Sequence, residues 1–110
     1  MPGKFLAEFE MYVMLATARL GDNAYGARIR DEIEDRAGRP VSIGALYATL
    51  HRLEAKGLIR STEADPQPGQ RGRARKYCAL TDTGRTALRH STEKMVLMMD
   101  GVEAALDSES

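Results

Sequence analysis

The stretch Ser42-Ile43-Gly44-Ala45-Leu46-Tyr47-Ala48-Thr49-Leu50-His51-Arg52-Leu53-Glu54-Ala55-Lys56-Gly57-Leu58-Ile59 decides the fold. Ser42 supplies a hydroxyl that can accept from a free amide of the first turn, so a helix starts there. Ile43, Leu46, Leu50 and Leu53 recur at helical spacing and make one inward stripe. Gly57 ends the helix, and Leu58-Ile59-Arg60-Ser61-Thr62 reads as a strand. Asp65-Pro66-Gln67-Pro68-Gly69-Gln70 is a loop by its Pro and Gly content. Arg71-Gly72-Arg73-Ala74-Arg75-Lys76-Tyr77 follows as a basic hairpin arm, with Arg75 to Leu80 as the returning strand. A helix followed by a cationic ribbon is the order of parts in a winged helix-turn-helix.

Working outward, a first helix is expected from Phe5 to about Leu20, with Phe5, Phe9, Tyr12, Val13, Ala16 and Leu20 as its buried stripe. Gly21-Asp22-Asn23 is a turn cluster, and Gly21 suits the left-handed position after a helix end. A second helix is expected from about Ala24 to Ala37 on Tyr25, Ile29 and Ile33, stopped by Gly38-Arg39-Pro40. Thr81 caps a last helix that reaches about Leu106. Its apolar positions Leu88, Met95, Met99, Val102 and Leu106 fall on a heptad pattern, with Thr92 filling the gap. A solitary helix with such a seam needs a partner surface. The expected class is mainly α with a small β-hairpin: a DNA-binding head over residues 1–80, then a dimerisation helix and short acidic tail over 81–110.

With 110 residues the chain makes one modest core. Its 16 basic and 16 acidic residues cancel, but their distribution does not. Residues 51–77 hold seven basic against three acidic residues, a net of +4, and residues 78–110 hold three against six, a net of −3. One basic segment in a neutral chain localises anion binding. The lone Cys78 cannot form an internal disulfide, and no apolar run is long enough for a signal sequence or membrane span. A reduced, cytoplasmic protein without a membrane partner is the expectation.

On the helix that Ser42 opens, the face opposite the apolar stripe holds Gly44, Ala45, Ala48, His51, Arg52 and Ala55. A helix lies deep in the major groove only if its leading turns are slim, and the small residues cluster in the N-terminal half. Tyr47 and Thr49 flank the stripe within reach of phosphates or base edges, while Arg52 and Lys56 stand where phosphate contacts are expected. Ser42 and the first-turn amides can hold a phosphate as well. Arg71, Arg73, Arg75 and Lys76 form the candidate wing, suited to lie on phosphates or to place an arginine in the minor groove. Small residues alone equally suit helix packing; the basic hairpin beside them turns the reading toward double-stranded DNA. A winged helix used for protein contacts is the competing class.

These residues resemble the PadR family of bacterial transcriptional regulators over nearly the whole chain. The resemblance rests on Tyr25-Gly26, Ser42, Gly44, Leu46-Tyr47, Leu50, Leu53-Glu54 and Gly57-Leu58-Ile59, then Gly72-Arg73, Arg75-Lys76-Tyr77, Leu80-Thr81 and Gly84. It implies a homodimeric repressor of the short subgroup, whose single C-terminal helix builds the dimer interface with the first helix. Phe5 and Phe9 would then join Leu88, Thr92, Met95, Met99, Val102 and Leu106 at that interface. Two departures stand out. Ala48 occupies a position where proline is frequent, which leaves the helix straighter, and Cys78-Ala79 replaces bulkier strand residues.

Met95, Val96, Met98 and Met99 are the candidate lining of a pocket for a small apolar effector, because methionine packs adaptably. A methionine-rich dimer seam without a ligand is the reading that stands ahead of that pocket. The chain has no tryptophan, so the paired-tryptophan ligand sandwich of similar drug-responsive proteins does not carry over. His51, His90 and Cys78 are too few and scattered for a metal site, and no cofactor is expected. Cys78 would sense redox state if Arg75 and Lys76 lowered its pKa, and would be inert if it alternates into the core. Neither a phosphate-binding glycine loop nor a nucleophile elbow occurs, so the pattern does not indicate an enzyme.

Overall fold

A computed structural model gives the fold, and the structure describes residues 6–64 and 75–107. Helix α1 spans Glu8–Leu20, followed by a 3-10 turn over Gly21–Asn23 and helix α2 over Gly26–Ala37. Helix α3 spans Ile43–Ala55, strands β1 and β2 span Ile59–Ala64 and Arg75–Leu80, α4 spans Asp82–Met99, and a short α5 spans Glu103–Asp107.

Local chemistry sets the ends of these elements. Ser42 caps α3 by accepting from the Ala45 amide at 3.1 Å, and Thr81 caps α4 by accepting from the Gly84 amide at 2.9 Å. Gly38 ends α2 in the left-handed conformation at φ 64°, which a side chain would disfavour. Helix α1 begins at Glu8 rather than at Phe5, which lies outside the described residues.

The core is packed where α1, α2 and α3 meet over the hairpin. Val13, Met14, Ile29, Leu46 and Leu53 are fully buried, and Ile33, Leu58, Ile59, Cys78 and Leu80 close the cluster. The inner face of α1 is thus Glu10, Val13, Met14 and Thr17, with Phe9 and Tyr12 only partly covered at its margin. Ile43 is exposed, so the α3 stripe starts one turn later than its spacing suggests, at Leu46.

β1 and β2 pair antiparallel from Ile59 opposite Leu80 to Ala64 opposite Arg75. β2 has a second neighbour: the Cys78 amide donates to the Ala24 carbonyl at 2.7 Å, and Tyr25 bridges to Tyr77 with the two rings edge to face at 5.5 Å. The start of α2 is therefore fastened to the wing.

The last helix differs from its expected form. α4 ends at Met99, a turn follows through Gly101 at φ 80°, and α5 is a separate element. A single helix to Leu106 is excluded because Gly101 sits in a left-handed conformation that breaks the i to i−4 ladder. The head also claims part of the expected dimer seam. Leu88 is buried in the head's own core, and Thr92 is half-buried with its hydroxyl on the Leu88 carbonyl at 3.0 Å.

Candidate nucleic-acid interface

The outer face of α3 is open. Gly44, Ala45, Ala48, His51 and Ala55 are exposed along it, and the helix runs unbroken through Ala48. Two edges frame this slim face. On the wing side stand Tyr47, about half exposed at 51%, and Lys76 of β2. These two share a recess of about 170 Å³ with Gly26, His51, Glu54, Ser61 and Cys78. Glu54 accepts from the Ser61 hydroxyl at 2.7 Å, which ties the helix to β1.

Gly26 explains the setting of Tyr47. A Cβ at position 26 would collide with the Tyr47 hydroxyl and stand 2.9 Å from its Cζ, so the phenol rests on the bare first turn of α2.

The opposite edge holds Arg52 and Lys56, and both are engaged within the protein. Lys56 Nζ donates to Glu10 Oε2 at 3.0 Å, and Arg52 Nε donates to the same oxygen at 3.3 Å. Glu10 Oε1 accepts from the Ala7 amide at 3.0 Å. Burial pushes this carboxyl up, but the Ala7 amide and the hydrogen bonds from Lys56 and Arg52 outweigh it and hold its pKa below the ordinary carboxylate value. Glu10 was not legible as a site residue, although an acid inside the apolar stripe of α1 was the available signal.

Thr49 faces inward. It is 3% exposed, and its hydroxyl accepts from Arg52 Nη2 at 3.3 Å, so it steadies Arg52. Arg75 is likewise occupied, with its guanidinium 4.3 Å from the Tyr25 ring centroid in a cation–π contact. Arg71 and Arg73 lie outside the described residues. Cys78 is buried, and burial pushes its thiol pKa up, so it has the environment of a structural cysteine.

Away from this face, α4 leaves the head carrying Met95, Val96, Leu97, Met98 and Met99, all exposed. Five successive apolar residues cover the whole circumference of a helix. Val102 and Leu106 continue the open strip.

The sequence profile of the transcriptional regulator PadR-like family matches residues 14–90, which takes in the second half of α1, then α2, α3 and the two strands, and the first half of α4. The chain belongs to the PadR-like family of transcriptional regulators. It is 43% identical over 67 residues to a transcriptional regulator of Mycobacterium tuberculosis, covering 61% of this chain and 58% of that protein. A PadR family regulator from Eggerthella lenta has 30% identity and a TM-score of 0.68, with 93% of this chain and 88% of that one covered. A PadR-like regulator from Bacillus cereus shares the fold at a TM-score of 0.75 and 23% identity, over 92% of this chain and 93% of that one. The chain spans 58% and 26% of the lengths of the two curated relatives it matches.

PadR regulators bind DNA and are typically dimeric. The PadR-like residue pattern now has a physical explanation at one junction. Thr81 donates its hydroxyl to the Gly57 carbonyl at 2.6 Å and its amide to the Leu58 carbonyl at 3.1 Å, which locks the root of the wing to the start of α4. Among the described residues, no helix is long and apolar enough to cross a membrane.

Proposed function

We propose that this PadR-like chain acts in the cytoplasm as a homodimeric, sequence-specific repressor on an inverted-repeat operator. The exposed, small-residue face of α3, framed by Tyr47 and Lys76, carries the reading, because it gives a major groove both room and a polar edge. Ser42, Gly44, Ala45 and Ala48 approach the groove, and the wing, including Arg71 and Arg73, lies on the flanking backbone.

The apolar circumference of α4 supports the dimer. A helical segment that is hydrophobic all round, as Met95 to Met99 is, is buried in its working state, and one flat partner covers only one side of it. The α1–α2 groove, whose apolar lining of Tyr12, Leu15, Ala16, Ile33 and Ala37 is bordered by the Arg19, Glu32 and Arg36 ion pairs, offers a second wall on the other copy. Two-fold symmetry then calls for half-sites about one helical turn apart, or a multiple of it. With roughly three to five phosphates neutralised per subunit, log affinity falls against log salt with a slope of roughly −5 to −9.

A small apolar effector belongs to this reading at Met95, Val96, Met98 and Met99, where the open strip supplies adaptable contacts. Titrating phenolics and cationic dyes into the protein–DNA complex tests it. Unchanged affinity throughout would leave a ligand-free regulator.

The deciding experiment compares binding to DNA upstream of the chain's own gene with binding to shuffled DNA at physiological salt. A preference of about a thousandfold, with two subunits per site, is the expected result. Equal weak binding to both, there and across a genomic selection of fragments, would sink the specific-regulator reading in favour of a winged helix used for protein contacts.

A further inference from the structure

Glu10 lies on α1, away from the slim face of α3, yet two cations at the C-terminal end of that helix converge on it. Glu10 is 4% exposed, and its carboxylate has three donors: the Ala7 amide on one oxygen, and Arg52 and Lys56 on the other. A buried carboxylate that loses its cations is strongly destabilising. Arg52 and Lys56 therefore cannot leave Glu10 freely to follow a phosphate. Their side chains remain 52% and 37% exposed, so their outer donors still face solvent. Arg52 is fixed a second time by Thr49. The result is an edge with a net charge of +1 from the three groups instead of +2 from two unpaired cations.

We propose that Glu10 is a positioning residue for DNA recognition, which holds Arg52 and Lys56 in place and half-neutralised so that sequence-independent attraction at this edge stays low. Specificity is a difference of affinities, and phosphate attraction adds equally to right and wrong sequences. Restraining it leaves discrimination to the slim face of α3. The inference rests on the DNA-binding reading above.

The test uses the full chain, a duplex of random sequence and a salt titration. Glu10→Gln removes the counter-charge of both cations. It should tighten binding several-fold at low salt and steepen the slope of log affinity against log salt by about 0.9 per subunit. Glu10→Gln with Lys56→Gln should return the slope to that of the wild type, an outcome that mere loosening of the fold would not give. An unchanged slope in a folded Glu10→Gln protein, or weaker binding without a change of slope, would overturn the proposal.

A second measurement needs no substitution. The Arg52 Nε–H resonance of the wild type should stay slowly exchanging and unshifted when duplex is added. Its loss on DNA binding would show that Glu10 releases the arginine, and would overturn the proposal too. Wild-type protein that shows no salt-dependent binding at all would defeat the DNA-binding reading itself, and this inference with it.

Discussion

Gly84 lies directly against the backbone of Leu58: a Cβ at position 84 would collide with the Leu58 carbonyl oxygen and stand 2.9 Å from the carbonyl carbon. That oxygen already accepts from the Thr81 amide, and Thr81 Oγ1 in turn holds the Gly84 amide. The obstacle is backbone, not the far end of a flexible side chain, so relief requires the wing root and α4 to separate.

Gly84→Ala should therefore destabilise the fold by about 1–3 kcal/mol or more, as overpacking does. Thermal unfolding followed by circular dichroism measures it. A melting temperature equal to that of the wild type would mean that α4 can shift without cost, and that the junction is looser than its geometry implies.

Gly26→Ala meets a different neighbour. Here the obstruction is the ring end of Tyr47, which can swing away. Stability should change by only about 1 kcal/mol, while Tyr47 loses its seat beside the groove-facing surface. Operator binding should fall more than binding to random DNA, and Tyr47→Ala should do the same. Equal losses on both sequences would remove Tyr47 from the readout.

Glu10 makes stability depend on acid. Its folded pKa is depressed below the ordinary value of about 4.5, so the unfolded chain takes up the proton first as pH falls. The stabilisation is complete above that ordinary value and is lost as pH drops from about 4.5 through the folded pKa. In Glu10→Gln this part of the acid sensitivity should vanish. Urea midpoints measured at neutral pH and below the carboxylate range would show it; an undiminished acid slope in the variant would assign the sensitivity to other carboxylates.

Met95→Glu with Met99→Glu should separate the proposed dimer, because both side chains are exposed on the same side of α4 and neither contributes to the head's core. Light scattering should report single copies, and the head should keep its helical signal. A dimer that survives both charges would place the interface elsewhere.

Much of this architecture was legible in the sequence. Ser42 and Thr81 act as the caps their hydroxyls announced, and Leu46, Leu50 and Leu53 point inward as their spacing required. Periodicity misled where an element's end, rather than its face, decided burial. Ile43 fits the stripe by number but lies in the first turn of α3, beyond the reach of the core. The heptad of α4 ran on past Gly101 because spacing carries no information about backbone dihedrals. Leu88 belonged to the pattern of a seam but stands close enough to the head to be absorbed by it.

The site was harder to read, because charge in a sequence has no partner. Arg52, Lys56 and Arg75 counted as three cations toward phosphate, and each is already engaged, by Glu10 or by the Tyr25 ring. Those contacts join residues that are distant in the chain, and only the fold brings them together. Thr49 hid for a related reason: its polar side chain suggested solvent, yet its helical phase lies between Leu46 and Leu53.

Thr81 is the single residue between the end of β2 at Leu80 and the start of α4 at Asp82, and it is bonded on both sides. Without slack at that point, the head and its α4 turn as one lever. The 18 residues of α4 make an arm about 27 Å long. A tilt of about 10° at its far end sweeps the head through about 5 Å, more than the 3.4 Å step from one base pair to the next. In the proposed dimer, small adjustments in how the two copies cross would thus change which bases each head meets, with every bond inside the head left as it was.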